Sequence, residues 1–148
     1  KNEAQISRFQ SSSPQTQAVH AMIAADPSTA AIAPNIVMSV NHVFDPAHGA
    51  FSAQGVGDVA DAPFLYAGWT NPTVRLLEQR LAVLEQAEDA MATATGMAAI
   101  SAVFLSLLRA GDHLIISDVC YAGVYEFATQ ILPLYGIEVS VVDTTCTA

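Results

Sequence analysis

The feature of this chain that most constrains its fold is a regular alternation of helical and strand patterns between residues 71 and 142. Asn71 is a favourable helix N-cap, and Pro72 suits the first helical position. Apolar residues then recur at the helical spacings of three and four: Val74, Leu77, Leu81 and Leu84. Strand-like and helix-like patterns alternate after this helix, an order that is typical of a parallel sheet with crossover helices. The sequence therefore predicts an α/β fold.

The remaining elements are predicted from apolar runs, helical spacings and glycines. They are a buried strand at 89–95, a helix at 97–109 with Gly111 as its C′ glycine, a strand at 113–117, a helix with Val124, Phe127, Ile131 and Leu134 on one face and Gly136 at its end, and a strand at 137–142. Three parallel strands would leave an exposed edge and an uncovered face, which parallel sheets avoid. We therefore expect additional polypeptide to complete this sheet.

Before residue 64 the chain is irregular. Ser11 to Pro14 is a polar, turn-prone run, and residues 26–63 contain four prolines and three glycines. Irregular chain of that length is more than a compact domain usually carries as free loop. We predict that residues 1–63 form an extended arm that contacts a neighbouring chain, and that residues 64–148 begin the α/β domain. A disordered linker is the alternative for the arm.

Composition limits the classes of function. Charged residues make up only 13% of the chain and hydrophobic residues 52%, which indicates that other polypeptide covers much of its surface. The net charge of −9 repels a phosphate backbone and disfavours nucleic-acid binding. Pro27 and Pro34 interrupt the most apolar early stretch, so a membrane span is not expected. That stretch also lacks a basic region before it, so a secretory signal is not expected. Cys120 and Cys146 have no disulfide or metal-site spacing, which fits a cytoplasmic location.

The strand-to-helix turn at Thr95-Gly96-Met97 is the first candidate binding site. A helix start offers free backbone N–H groups and the positive end of the helix dipole, so it can hold an anion. Gly96 has no Cβ and allows a ligand to approach the backbone closely. The alternative interpretation is an ordinary strand-to-helix turn, which this segment alone favours.

Ordered motifs on either side of this turn resemble those of a known family. They are Tyr66-x-x-x-x-Asn71-Pro72-Thr73, Leu77-Glu78-x-Arg80-Leu81-x-x-Leu84-Glu85, Gly111-Asp112-His113, Asp118-x-x-Tyr121-x-Gly123 and Tyr135-Gly136-Ile137-Glu138-Val139. In identity and separation they are similar to the γ-family of pyridoxal-phosphate (PLP) enzymes of cysteine and methionine metabolism. That family includes cystathionine γ-lyase, methionine γ-lyase and cystathionine γ-synthase. The resemblance is close from Tyr66 to Asp143 and weaker before it.

The resemblance implies the PLP-dependent transferase fold type I, also called aspartate-aminotransferase-like, with this chain supplying an N-terminal arm and part of the large domain. It also implies pyridoxal 5'-phosphate as cofactor, a small amino-acid substrate and a homo-oligomer built as a dimer of dimers. By position, the backbone amides of Gly96 and Met97 would hold the PLP phosphate. Tyr121 would stack on the pyridine ring and help to move protons. Tyr66 would reach the phosphate of the partner subunit's cofactor.

Two departures from the family pattern affect these roles. The family's Tyr-Ser-Arg run reads Tyr66-Ala67-Gly68, so the arginine that also contacts the partner's phosphate is missing. Arg75 is not expected to replace it, because its side chain should point away from the helix. Lys1 is the only lysine of the chain, whereas PLP catalysis of this class needs a lysine that binds the cofactor covalently. The chain alone should therefore not catalyse.

The function implied for the parent protein is β- or γ-elimination or replacement on a sulfur amino acid, by a PLP-dependent carbon–sulfur lyase or transferase. The rest of the fold would come from a continuing or companion chain. Two other interpretations stay open. One is a degenerate, non-catalytic paralogue that serves as a binding or assembly subunit, suggested by Gly68. The other is an independent small phosphate-binding α/β domain. Binding to nucleic acid or to a membrane is not expected.

Overall fold

The computed structural model describes residues 12–43 and 63–145. Their helices and strands are α1 (Pro14–His20), α2 (Pro72–Glu85), α3 (Gly96–Leu107), β1 (His113–Ser117), α4 (Ala122–Glu126) and β2 (Glu138–Val142). A π-helical turn (Phe127–Ile131) and a 3-10 turn (Leu132–Tyr135) lie between α4 and β2. The chain divides into two compact units, Lys1–Ala92 and Thr93–Ala148. The predicted boundary at residue 63 separates an extended arm from a domain, whereas the boundary at Ala92 separates two compact units. The arm boundary therefore stays a prediction.

Helix α1 is an element that the sequence patterns do not predict. Ser13 is its N-cap, and the Ser13 hydroxyl accepts a hydrogen bond from the Thr16 amide (3.3 Å). Pro14 lies in the first turn, where its missing N–H is not needed. The same combination of a capping side chain and a following proline that predicts α2 is thus present here. The helix is not predicted because the residues after Pro14 are mostly polar and show no apolar residues at helical spacing.

Helix α2 begins as predicted, with Asn71 as N-cap and Pro72 in the first turn. Its packing differs from the predicted apolar face. The buried residues of the helix are Glu78, Ala82 and Val83. Three residues of the predicted face are instead between 42% and 52% exposed: Val74, Leu77 and Leu81. The helix therefore packs within its own unit through a neighbouring face and leaves an apolar stripe on the surface of that unit.

The strand predicted at 89–95 is wrong. These residues form neither helix nor strand, and no segment among the described residues pairs with them. Apolar alternation shows only which side chains could face a core, whereas a strand also needs the backbone hydrogen bonds of a neighbouring strand. Side chains bind backbone groups of this segment instead: the Ala90 amide donates to Oδ1 of Asp89 (2.8 Å), and the Ala92 amide donates to Oε1 of Glu78 (2.8 Å).

Helix α3 is also shorter than predicted, because it ends at Leu107, four residues before Gly111. Gly111 is therefore not its C′ glycine. It lies in the turn that leads into β1, with a φ of +95°, a conformation that favours glycine. Its amide donates to the Gly136 carbonyl (2.8 Å), which fastens this turn to the one that precedes β2.

Strands β1 and β2 confirm the last two predicted strands and their parallel pairing. In their register His113 lies opposite Glu138, and Ser117 lies opposite Val142. They form a two-stranded sheet within the described ranges. A crossover helix joins them, as expected for parallel neighbours.

The helical segment between the strands ends at Gly136 as predicted, where φ is +76°. Its buried face is not the predicted one. Ala128 and Leu132 are fully buried, whereas Ile131 and Leu134 are 39% and 78% exposed. A π turn contains more residues than an α-helical turn, and a 3-10 turn contains fewer. The passage from one to the other therefore moves the buried face away from the regular three-and-four spacing.

The core of the second unit joins β1 to this helical segment. Its buried residues are Ile116, Ala128, Leu132 and Ile137. Helix α3 contributes the partly buried Phe104 to this core, but none of its twelve residues is buried. An apolar helix without a polar face is typical of a helix enclosed by a larger fold. Within the described ranges, no helix combines the length and apolar character that crossing a membrane requires.

Candidate functional site

The amino end of helix α3 forms the first candidate site. Thr95 is its N-cap: the Thr95 hydroxyl accepts from the Ala98 amide (3.0 Å), and the Thr95 carbonyl accepts from the Ala99 amide (3.2 Å). The Gly96 and Met97 amides occupy the two preceding positions, where the helix itself offers no acceptor. They lie at the positive end of the helix dipole and are therefore placed to bind an anion.

Gly96 leaves open space at this helix start. Beyond its chain neighbours and its own helix backbone, no heavy atom of the described residues lies within 4 Å of the position that a Cβ on Gly96 would occupy. Gly96 is exposed and Met97 is partly exposed. A ligand therefore has room beside the Gly96 Cα.

Tyr121 is the second predicted site residue of this unit. It lies between β1 and α4, and 69% of its surface is exposed. Tyr121 and Met97 both approach Gly123. A Cβ on Gly123 would lie 3.0 Å from Cε1 of Tyr121 and 3.2 Å from Sδ of Met97. The structure therefore places the Met97 thioether and the Tyr121 ring beside the same glycine.

Gly123 is a residue of this site whose role is not predicted from the sequence. Its missing Cβ permits the close approach of the tyrosine ring and the thioether, because Cβ contacts of 3.0 Å are tighter than those of most side chains. The Tyr121-x-Gly123 motif contains a signal for this role. The sequence does not show which side chains would approach the glycine, so the role emerges only from the structure.

Tyr66 lies in the first unit, where it forms an isolated antiparallel bridge with Asn41. Its carbonyl accepts from the amides of Trp69 (2.9 Å) and Thr70 (3.0 Å), which closes a turn. The Tyr66 ring covers Gly68, because a Cβ on Gly68 would lie 2.5 Å from Cε1 of the ring. Tyr66 is 52% exposed, so its side chain is accessible to a second molecule.

Arg75 does not point away from helix α2 as the sequence predicts. Its side chain is 12% exposed, and its Nη1 lies 3.4 Å from Oε2 of Glu78 and 4.0 Å from Oδ2 of Asp89. A nearly buried carboxylate is costly unless it is paired. Arg75 and the Ala92 amide provide that pairing for Glu78. Arg75 thus has carboxylate partners within its own unit.

The described residues offer a limited set of reactive groups. No cluster of three or more His, Cys, Asp or Glu side chains in residues 12–43 and 63–145 could hold a metal ion. Lys1, the only lysine of the sequence, lies outside these residues. The described residues therefore offer a helix start with amides that have no acceptor in the helix, together with aromatic side chains, and they include no lysine.

One protein-family model matches most of the chain: that of the Cys/Met metabolism PLP-dependent enzyme, over residues 15–148. L-methionine gamma-lyase from Fusobacterium nucleatum subsp. polymorphum is 39% identical over 85 residues, which are 57% of this chain and 22% of that protein. Canavanine gamma-lyase from Rhizobium leguminosarum bv. trifolii is 36% identical over 138 residues, which are 91% of this chain and 33% of that protein.

Solved structures show the same relationship. Cystathionine gamma synthase from Xanthomonas oryzae pv. oryzae, solved in complex with aminoacrylate and cysteine, matches 90% of this chain with a TM-score of 0.72 and 30% identity. This similarity confirms the predicted PLP-dependent transferase fold type I. The chain spans 22% to 33% of the length of these three proteins. The roles of Tyr66, Gly96, Met97 and Tyr121 stay predictions.

Proposed function

Because the chain belongs to the Cys/Met metabolism PLP-dependent enzyme family, we propose that it supplies part of an enzyme that eliminates or replaces a β or γ substituent on a sulfur amino acid. In this proposal residues 1–63 are the arm and residues 64–148 are the first part of the PLP-binding domain. Relatives named as a methionine gamma-lyase and a cystathionine gamma synthase support a carbon–sulfur lyase or transferase.

The proposal includes further polypeptide that completes the fold. The apolar stripe of α2 is about half exposed, and the apolar helix α3 has no buried residue. Exposed apolar surface of this extent is typical of a face that other protein covers. A continuing or companion chain would cover these helices and provide the catalytic lysine, in a cytoplasmic homotetramer.

The observation that carries the proposal is the geometry around the start of α3. PLP has an anionic phosphate and an aromatic ring, and it therefore needs hydrogen-bond donors and a stacking surface. The amides of Gly96 and Met97 are such donors, and Gly96 leaves space beside them. The Tyr121 ring and the Met97 thioether both lie beside Gly123. The residues of this chain therefore fit the phosphate end and one face of PLP.

When bound, PLP supplies an electron sink that stabilises negative charge at the Cα atom of an amino-acid substrate. The residues of this chain bind and orient. The Gly96 and Met97 amides hold the phosphate, and the Tyr121 ring stacks on the pyridine. The Tyr121 Oη can also accept or donate a proton at the substrate. Tyr66 would contact the phosphate bound by a second subunit.

Replacement of Gly96 by proline tests the phosphate contact. Proline is favoured at the first helical position, and Thr95 has the extended conformation (φ −151°, ψ 158°) that a following proline requires. Gly96→Pro therefore removes one amide donor while the helix start is kept. Gly96→Ala is the matched control, since it adds a Cβ in open space and keeps the amide.

We expect Gly96→Pro to weaken PLP binding by about ten- to a hundredfold relative to Gly96→Ala, because a hydrogen bond to a charged group contributes about 1.5–3 kcal/mol. The measurement is an equilibrium PLP titration of the assembled protein that contains this chain. Equal affinity of the two variants would place the phosphate away from this helix start and contradict the proposal.

A second candidate function is that of a degenerate, non-catalytic subunit, and Gly68 is the observation that favours it. Gly68 stands where the family pattern has an arginine for the partner's phosphate. Loss of one charged hydrogen bond of about 1.5–3 kcal/mol would weaken PLP binding by roughly ten- to a hundredfold. The match of the family model to residues 15–148 supports both of these functions over an independent small phosphate-binding domain.

Gly68→Arg and Gly68→Ala test the premise of this second function, that the missing arginine weakens PLP binding. Gly68 does not have a positive φ, so an L side chain is compatible with its backbone. Any Cβ at this position must displace the Tyr66 ring, and Gly68→Ala reports that displacement alone. An arginine near the partner's phosphate should raise PLP affinity about tenfold or more relative to Gly68→Ala. If the two affinities are equal, the arm does not approach the phosphate.

A further inference from the structure

Asn71 has two functions in the structure, and only one of them is to cap helix α2. Its Oδ1 accepts from the amides of Thr73 (2.9 Å) and Val74 (3.3 Å), which is the cap. Its Nδ2 donates to the carbonyl of Val37 (3.1 Å), 34 residues earlier in the chain. The Asn71 side chain therefore joins the helix start to the arm.

Thr73 makes a second connection to the same part of the arm. Its Oγ1 accepts from the Val37 amide (2.9 Å) and lies 3.5 Å from the Asn35 carbonyl, to which it can donate. Both backbone groups of Val37 are thus bound by side chains of the Asn-Pro-Thr motif. We call the Asn71 and Thr73 side chains with the Val37 backbone the arm clasp.

Beyond the clasp, the arm reaches the backbone around Tyr66. The Ala67 amide donates to the Val40 carbonyl (2.7 Å), and the His42 amide donates to the Leu65 carbonyl (2.9 Å). These bonds surround the antiparallel bridge that includes Tyr66. Residues 37–42 are therefore fastened at one end by the clasp and at the other end by the backbone on both sides of Tyr66.

The clasp and the bonds around Tyr66 link residues 37–42 to residues 65–73 at two points. The two segments therefore form a short closed loop that includes Tyr66. A two-residue antiparallel contact is weak by itself, since isolated strand pairs are marginally stable in water. Closing this loop reduces the number of conformations that the Tyr66 backbone can adopt. The clasp is therefore suited to hold the position of Tyr66.

We infer that Asn71 and Thr73 are positioning residues for Tyr66, which they orient toward the phosphate of a second subunit through the arm. The inference rests on the proposed phosphate contact of Tyr66. It assigns to the Asn-Pro-Thr motif a role beyond the start of a helix. Tyr66 is the residue that touches the cofactor in this arrangement, and the clasp acts only through it.

Asn71→Asp separates the clasp from the helix cap. Aspartate is as good an N-cap as asparagine, so the bonds to Thr73 and Val74 are kept. It has no Nδ2, so the bond to the Val37 carbonyl is lost. At Thr73, Thr73→Val removes the oxygen that binds Val37 with little change of shape, and Thr73→Ser restores that oxygen.

The experiment is an equilibrium titration of the assembled protein with pyridoxal 5'-phosphate, in the wild-type and in the Tyr66→Phe background. We expect Asn71→Asp and Thr73→Val each to weaken binding about two- to tenfold, the effect of one neutral hydrogen bond. Thr73→Ser should bind like wild type. Both losses should disappear in the Tyr66→Phe background, because residues that act through one another are not additive.

Trp69 gives a second readout that does not depend on the cofactor. It is the only tryptophan of the chain, and its amide donates to the Tyr66 carbonyl. Its own emission in the cofactor-free protein, taken as the difference from a Trp69→Phe variant, therefore reports the turn that contains Tyr66. Asn71→Asp and Thr73→Val should change this emission, and Thr73→Ser should not.

Three other results would overturn the inference, and they differ from one another. If Tyr66→Phe weakens PLP binding while the clasp variants bind like wild type, the clasp does not position Tyr66. If the clasp variants lose the same affinity with and without the Tyr66 hydroxyl, their effect is general destabilisation. If Tyr66→Phe binds like wild type, the proposed phosphate contact of Tyr66 is wrong and the clasp has no such role. The Gly96 variants then still test the remaining part of the proposed function.

Discussion

The unit that ends at Ala92 and the unit that begins at Thr93 differ in the interactions that stabilise them. In the second unit, Leu132 and Ala128 are fully buried in an apolar core. In the first unit, side chains bind backbone groups far away in the sequence. Arg80, for example, donates to the Ala21 carbonyl (3.2 Å), 59 residues earlier, and Asn71 donates to Val37. Both units bury apolar residues, Ala82 and Val83 in the first and Leu132 in the second. The comparison indicates that the first unit depends, in addition, on polar side chains that bind distant backbone groups.

The largest effect should come from removing core volume in the second unit. Leu132→Ala should lower the free energy of unfolding by about 2–5 kcal/mol, the usual cost of truncating a buried leucine. Leu134→Ala is the matched control, because Leu134 is 78% exposed and its loss should cost less than about 0.5 kcal/mol. Denaturant unfolding of the assembled protein measures both. Similar losses would show that the π and 3-10 turns do not select the buried face described above.

A polar group of the first unit should have the next largest effect. Glu78→Ala should cost about 1.5–3 kcal/mol of unfolding free energy, the range for hydrogen bonds to charged groups, because it leaves the Ala92 amide and Arg75 without this partner. Glu78→Gln keeps an acceptor for Ala92 and should cost less. Glu85→Ala, at an exposed position of the same helix, is the control. If Glu78→Ala were no worse than this control, polar groups would not distinguish the first unit.

The two units also differ in how much of their structure the sequence predicts. In the second unit, strand-length apolar runs predict β1 and β2, and Gly136 predicts the end of the helical segment. Local patterns suffice there because sequential elements pair directly. The predicted buried face of that segment is wrong, because the prediction assumes regular α-helical spacing and the sequence does not indicate the π turn. In the first unit, the Asn71-Pro72 pair predicts the start of α2.

What the sequence does not predict are contacts between distant segments. Nothing in the Asn-Pro-Thr motif indicates that Asn71 and Thr73 bind Val37. The helical spacing of α2 does not indicate that Glu78 is buried with Arg75. At the candidate site, the sequence identifies the free amides of Gly96 and Met97 from the helix start. It does not identify Gly123, because close approach to a glycine depends on which side chains the fold brings there.

A third prediction separates backbone strain from packing in the second unit. Gly111→Ala places an L side chain at φ +95° in open space, and Gly136→Ala places one at φ +76° with its Cβ 3.2 Å from the Cβ of Ala110. The left-handed conformation alone should cost about 1–2 kcal/mol of unfolding free energy at either position. Gly136→Ala should cost more than Gly111→Ala, because it adds a tight contact. Equal losses would show that packing at Ala110 relaxes freely.

The smallest effect should come from an exposed carboxylate of the first unit. Oδ1 of Asp26 accepts from the hydroxyl and amide of Ser28 (2.6 and 2.9 Å) and from the amide and hydroxyl of Thr29 (2.9 and 3.0 Å). Asn35 donates to Oδ2 (3.1 Å). The Ser28 hydroxyl, followed by the Thr29 amide and hydroxyl and the Ser28 amide, lowers the pKa of Asp26 from 3.8 to about 2. These bonds favour the charged carboxylate.

The sign of the pH dependence follows from this lowered pKa. The folded loop binds a proton less readily than the unfolded chain does, so its stabilisation is fully present above about pH 4 and is lost as the pH falls toward 2. Protection of the Ser28 and Thr29 amides from hydrogen exchange, corrected for intrinsic rates, should decline over that range. Asp26→Asn keeps an acceptor oxygen but cannot titrate, so its protection should be weaker at pH 5 and should not decline further. If amide protection in the wild-type loop were as independent of pH as in Asp26→Asn, the Asp26 charge would not stabilise this loop. The stabilising polar groups of the first unit would then be its buried ones.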